Sequence, residues 1–366
     1  MNTRNWTIVG VIAVLALCAL CLGALALGGL FAARVFTVRD VIRSPVGPRV
    51  ESTVEEPKSF EVQTPAFLEI TNNFGATDIQ ASETLSGTFQ VTMVKTGYGD
   101  DVTEADANLE TLQISTEESE NRVMIQVEEP RTQGGTRSAK VDFRIRVPQQ
   151  TTVTVDSSTG QISLVGTQGK AVLHSEFGEV GVTDFAGGLS VNTGSGAIRV
   201  ARVGLLSSGN GDISLTTQFG QIRLENVQTG PLEVTSSSGQ LQLSDVQSEG
   251  DTQVESEFGQ ITWQTGSVDH LSVKSNSGQV HLQDLDFSDE IRVDTTFGEV
   301  RFSLPQESAF DVNLQTDLGR IESEFDVART GSPQEKHWIG TVNGGGPQLT
   351  ITTQSGSIFL ETNPQN

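Results

Sequence analysis

Four histidines, His174, His270, His281 and His337, are the sites available for imidazole chemistry. None has the His-x-x-x-His spacing of a zinc site, and no cysteine outside the N-terminal apolar run could join them. His174 and His281 sit beside apolar residues at strand-like positions, which favours ordinary sheet residues. Cys18 and Cys21 have redox-like spacing, but their apolar setting suits filler in a membrane helix. Glu176 with Glu179, and Glu255 with Glu257, are the carboxylate pairs from which an acid and a base could be drawn. Both pairs lie at polar corners, whereas an active carboxylate needs a cleft, so solvated turns are the better reading. Gly-x-Ser-x-Gly, P-loop and dinucleotide fingerprints are absent in the right context. So is the Gly-Gly-x-Gly-x-Asp calcium repeat. Gly194-Ser-Gly196 and Gly209-Asn-Gly211 belong to turns. No catalytic residue, cofactor or metal site is therefore expected. The most individual stretch is the insertion 327–346, with Lys336, His337, Trp338 and Ile339. It reads as a candidate binding loop, because long loops carry function. It reads equally as a cap over the last open sheet edge, and the need to cover that edge favours the cap.

Composition narrows the partners. The 366 residues carry 46 acidic and 23 basic side chains, a formal net charge of −23. Nucleic-acid binding needs a basic footprint, so it is not expected. Acidity instead keeps a repetitive β surface soluble. The chain has 38 Gly and 11 Pro, with regularly alternating apolar residues, which suits short strands joined by tight turns.

Residues 1–7 form a short flank. Ile8 to Ala33 is an unbroken run without a charge. About 20 apolar residues span a bilayer, and a signal peptide core is shorter, about 7–15. The run is expected to be one uncleaved transmembrane signal anchor with Trp6 at its first interface. Residues 34–58, with Arg34, Arg39, Arg43, Arg49 and three prolines, read as a juxtamembrane linker. Read literally, that arginine flank puts the C-terminal side in the cytoplasm.

The remainder is repetitive. An apolar-x-apolar run, about four polar residues ending in Gly, then x-apolar-x-apolar recurs, as in Leu232-Glu-Val234 to Gly239-Gln-Leu241-Gln-Leu243. The turn glycines are Gly160, Gly178, Gly196, Gly220, Gly239, Gly259, Gly278, Gly298, Gly319 and Gly356. Most intervals between them are about 18–21 residues, a solenoid-like period. The interval before Gly220 is wider and holds an insertion at Gly204–Gly211, and the one before Gly356 holds a longer one. Each repeat supplies two short half-buried strands that only stacking can bury. The fold class expected is all-β, a parallel β-solenoid or β-helix of about 18–24-residue rungs after one N-terminal transmembrane helix. Ten rungs at about 4.8 Å would give a stack on the order of 50 Å.

The residue before each turn glycine alternates between small and large: Thr159, Phe177, Ser195, Phe219, Ser238, Phe258, Ser277, Phe297, Leu318, Ser355. Either each ring lies over a small neighbour in a coil of about 19 residues, or one coil takes about 39 and segregates the rings on one edge. Packing favours the first. Gln221, Gln240, Gln260 and Gln279, after the glycines, are placed to form an amide ladder. Residues 59–150 are an irregular β part with strands near 68–70, 89–94, 112–114, 123–127 and 141–147, and a short helix at 103–109. Residues 151–362 carry the regular repeats.

Val141-Asp-Phe-Arg-Ile-Arg-Val147-Pro148, Val153-Thr-Val-Asp and Ser-Thr-Gly160-Gln-Ile162-Ser-Leu164 resemble the bacterial putative-adhesin, or toast-rack, domain. Gly344-Gly-Gly346-Pro-Gln-Leu349-Thr-Ile-Thr-Thr-Gln-Ser-Gly356-Ser-Ile358 is similar to its closing segment. The likeness covers about residues 60–362 and offers no catalytic residue to carry over. It implies a surface module with its β domain outside the cytoplasm. The expectation is thus a single-pass cell-membrane protein with an adhesin-like, non-catalytic structural or binding role toward a cell-surface polysaccharide or protein. A carbohydrate-active solenoid enzyme and a cytoplasm-facing membrane scaffold are the alternatives.

Overall fold

The computed structural model describes residues 50–128, 138–204, 211–329 and 335–363. The anchor from Ile8 to Ala33 and its arginine flank lie outside these residues. No helix among the described residues is long and apolar enough to cross a membrane.

The domain is all-β. Among the described residues its strands join one 26-stranded sheet, accompanied by one helix, Val102–Glu110. Successive repeats pair in parallel and in register. On a first side, Ala171–Phe177 lies between Thr151–Thr159 and Leu189–Ser195, one repeat behind it and one ahead. The next step, from Leu189 to Ile213, is longer and absorbs the insertion near Gly204. On a second side, Val180–Phe185 lies between Ile162–Val165 and Ile198–Val203. A third, shorter side appears where Val246–Ser248 pairs with Gly266–Val268, and that with Leu285–Phe287. Period-two alternation turns every second residue inward, so Leu173, Val191, Leu215 and Val234 stack as fully buried columns. One coil therefore takes a single repeat and not two, and ringed and small rungs interleave in one column.

The turn glycines also stack. A Cβ on Gly178 would land on the Gly160 carbonyl, one on Gly239 on that of Gly220, and one on Gly259 on that of Gly239. Close backbone approach, more than turn geometry, requires glycine here. A second corner column has a different backbone geometry. Asp184, Arg202, Asn226, Asp245, Thr265 and Asp284 all have φ of 50–58°. Asp and Asn tolerate this left-handed region, so four of the six fit by type.

The ends depart from chain order. The rung Ala66–Phe74 sits directly on Thr151–Thr159, and Arg122–Val127 lies outside it. Thr77–Ser82 likewise separates Ala139–Pro148 from Ile162–Val165. At the far end, Gln348–Ser355 is inserted between Val280–Phe297 and Phe310–Thr316. Ile358–Asn363 is inserted between Val300–Pro305 and Ile321–Ser323. Antiparallel strands then close both ends. Thr88–Gly99 pairs with Ala139–Pro148, Ile114–Ser119 with Arg122–Val127, and His337–Val342 with Phe310–Thr316.

The expected linker 34–58 needs correcting over its described part. Val50–Glu61 is a strand, antiparallel to Thr88–Gly99. It lacks obvious periodicity because it is an edge strand in which only Ser52 and Phe60 are buried, and there Pro57 costs no ladder bond that the sheet needs. The expected helix at 103–109 is present as Val102–Glu110, and Asp101 caps it by accepting from the Glu104 amide at 2.9 Å.

Candidate binding face

The outer surface of the first side is built from the residues that alternate with the core columns. Next to the turn corner it carries a shallow, open groove of about 460 Å³ lined by Glu255, Glu257, Lys274, Asp294, Thr352 and Gln354, among others. Glu255 accepts from Lys274 Nζ, one rung away, at 2.7 Å. That hydrogen bond, with the carboxylate charge, raises the lysine above its usual value. Asp294 is held by Arg292 Nε at 2.7 Å. Glu179, of the other pair singled out in the sequence, is bound by Arg199 from the next rung. Glu255 and, beyond the groove, Glu179 thus bridge neighbouring strands, whereas Asp294 pairs within its own strand, and on so exposed a surface such pairs add little to stability.

The corner row is the most distinctive feature. In space the residues before the stacked glycines run Phe74, Thr159, Phe177, Ser195, Phe219, Ser238, Phe258, Ser277, Phe297, Ser355, Leu318. In chain order two large residues, Phe297 and Leu318, are consecutive. The inserted last rung places Ser355 between them, so alternation is complete only in space. Phe177, Phe219, Phe258 and Phe297 remain 58, 61, 55 and 58% exposed, and Leu318 77%. Inside the same corner runs a buried hydroxyl column that includes Ser175, Thr193, Thr217 and Ser236. Thr193 and Thr217 donate toward the Gly196 carbonyl, which ties the column to the turn. Among the outer glutamines, Gln240 donates to Gln260 at 3.4 Å, while Gln221 turns to Gln242 at 2.8 Å, so the ladder is local.

The candidate loop Lys336, His337, Trp338 forms the end cap. Trp338 is 6% exposed, donates Nε1 to the Glu335 carbonyl at 2.9 Å, and lies under the Arg329 guanidinium at 3.7 Å. His337 Nε2 meets Asn313 Oδ1 at 3.0 Å, and Lys336 donates to the Asp317 carbonyl at 2.6 Å. Ile339 faces out, 56% exposed. Among the described residues, no group of three or more His, Cys, Asp or Glu is placed to hold a metal ion.

A repeat-built all-β sheet with an open face and a closing last rung defines the class. Its family follows from the family model described as Toastrack DUF4097, which matches residues 67–361. The chain belongs to that family. No curated protein matches it. Three solved structures are similar, each aligned over 84% of this chain. One is titled a putative cell adhesion protein from Clostridium sporogenes, at 10% identity and a TM-score of 0.25, with 100% of that chain covered. One is titled a putative adhesin from Bacteroides fragilis, at 11% and 0.32, with 97% covered. The third is titled a putative lipid binding protein from Parabacteroides distasonis, at 13% and 0.32, with 96% covered.

Proposed function

We propose that this protein is a non-catalytic binding module of the cell surface. In this reading Ile8 to Ala33 anchors it in the membrane as a single span, and the domain is a parallel β-solenoid displayed outside the cytoplasm. It engages a cell-surface polysaccharide or protein through many weak, repeated contacts. The observation that carries the reading is the first side of the sheet, whose in-register strands present one long, open, ion-pair-stitched surface. Such a face suits an extended partner and avidity better than the enclosure of a small substrate. One observation favours a different placement: Arg34, Arg39, Arg43 and Arg49 follow the apolar run and suit a scaffold facing the cytoplasm.

The test is topology. Protease is added to intact cells expressing the full chain with a C-terminal tag. Loss of the tag while a cytoplasmic marker survives is the expected result. Protection of the tag until lysis would overturn surface display and leave the cytoplasmic scaffold.

A further inference from the structure

The corner row is an apolar stripe of unusual order. Along it, large side chains recur every second strand, roughly 9.6 Å apart, with a small side chain in each gap. Isolated exposed apolar residues are ordinary on a protein surface, but a continuous row marks an interaction surface.

Charge beside the corner is confined to large rungs, although Phe74 and Phe219 have none and Leu318 has Arg320 beside Asp317. Immediately flanking the corner dipeptides, the carboxylates are Glu176, Glu179, Glu257, Glu299 and Asp317, and all five lie on rungs with a large residue. The small rungs are flanked only by uncharged side chains such as Gln161, Ser237, Gln240, Asn276, Gln279 and Gln354. The row is thus complementary to itself when displaced by one rung. Each ring then faces a gap, and each carboxylate faces an uncharged rung instead of another carboxylate.

From this we infer that the stripe binds a second copy of the same chain, antiparallel, about a two-fold axis that passes between a large rung and a small one. Symmetry selects this arrangement. A two-fold axis along the stack would set two copies parallel and in register, with ring against ring. A parallel pair shifted by one rung fits but is not symmetric, leaving the two copies inequivalent and an unpaired rung at each end. An antiparallel pair with its axis between Ser238 and Phe258 places Phe177, Phe219, Phe258, Phe297 and Leu318 opposite small residues in both copies and leaves Phe74 beyond the end of the contact. The area is sufficient. Covering the open parts of the four Phe and Leu318 removes about 1,200 Å² summed over both copies, at the threshold of a stable specific interface. The chain enters the stack at its N-terminal end, where Val50–Glu61 pairs with Thr88–Gly99. An antiparallel pair therefore sends its two entering chains to opposite ends. This geometry joins molecules on facing surfaces, and on the surface reading proposed above the partner is the same protein on an apposed cell. The self-association itself does not depend on that placement.

Sedimentation of the full chain in detergent tests it. The native chain is expected to form a dimer that tightens as salt screens its net charge of −23. F219S/F258S is expected to weaken dimerisation about a hundredfold while leaving the β circular dichroism unchanged. S238F supplies the decisive contrast. It adds apolar surface but fills a gap, so a complementary stripe loses affinity whereas an indiscriminately sticky one gains it. A native chain that stays monomeric, a double variant that dimerises normally, or an S238F variant that associates as well as or better than native would each overturn the proposal. A monomeric native chain whose binding to isolated wall polysaccharide is abolished by F219S/F258S would assign the stripe to a glycan instead. The protease experiment reads surface display independently, so failure of either reading is recognisable by itself.

Discussion

The middle of the domain and its two ends solve the same packing problem differently. From Thr151 to Phe297 each strand stacks on the one a single repeat before it in the chain. At the ends the neighbours are distant in sequence. Ile291 pairs with Leu349, past the whole excursion from Phe310 to Val342. Ala66 pairs with Thr151, past every strand from Thr77 to Pro148. The middle can grow by repetition because every rung offers the next the same backbone edge. An end must stop growing, and here it stops by inserting a late segment and laying antiparallel strands on the outermost rung. That covers the parallel edge, which would otherwise invite other chains.

Deletions break this comparison most sharply. Removing residues 347–366 takes away Leu349, Ile351, Ile358 and Leu360, all buried, and parts the rungs they separate. Burial of those four side chains is worth roughly 6–12 kcal/mol, comparable with the whole stability of an ordinary domain. The shortened chain is expected to lose its cooperative thermal transition and its protease resistance. Removing residues 232–270 is expected to leave a folded, shorter stack. It brings Leu271 to the place of Leu232, and Ser277 then follows Phe219, so both register and alternation survive. Circular dichroism melts of the two deletions side by side check this, and equal damage would show that the middle is not modular.

A smaller effect is expected from Gly239→Val. Its Cβ meets the Gly220 carbonyl of the preceding rung, so the backbone column must part, at a cost of about 3 kcal/mol read as a lowered melting temperature. Gly344, where a Cβ meets nothing within 4 Å, is the control at the irregular end, although its φ of +96° still favours glycine.

The smallest effect sharpens the picture of the second corner. Thr265 is a β-branched residue held at φ 58° in a column where Asp245 and Asp284 precede and follow it. Thr265→Asn is expected to raise stability by about 1 kcal/mol, measured by denaturant titration. An unchanged or lower midpoint would mean that threonine makes compensating contacts there.

Much of this is legible in the sequence. The apolar spacing and the turn glycines specify the coil, because both act between residues close in the chain. Asp184, Asn226, Asp245 and Asp284 could have revealed the second corner, since each follows an apolar-x-apolar run at a fixed distance. Arg202 and Thr265 in the same column obscure that signal. Val50–Glu61 was hidden because an exposed edge strand carries little periodicity. Lys336, His337 and Trp338 looked individual, and only packing shows that Trp338 is spent on the cap. The alternation of the corner row is written in the residues themselves from Thr159 to Phe297. Its completion at Ser355 and Leu318 was decided by tertiary structure, because parallel strands of equal hydrogen-bonding capacity leave the order of rungs to long-range fit.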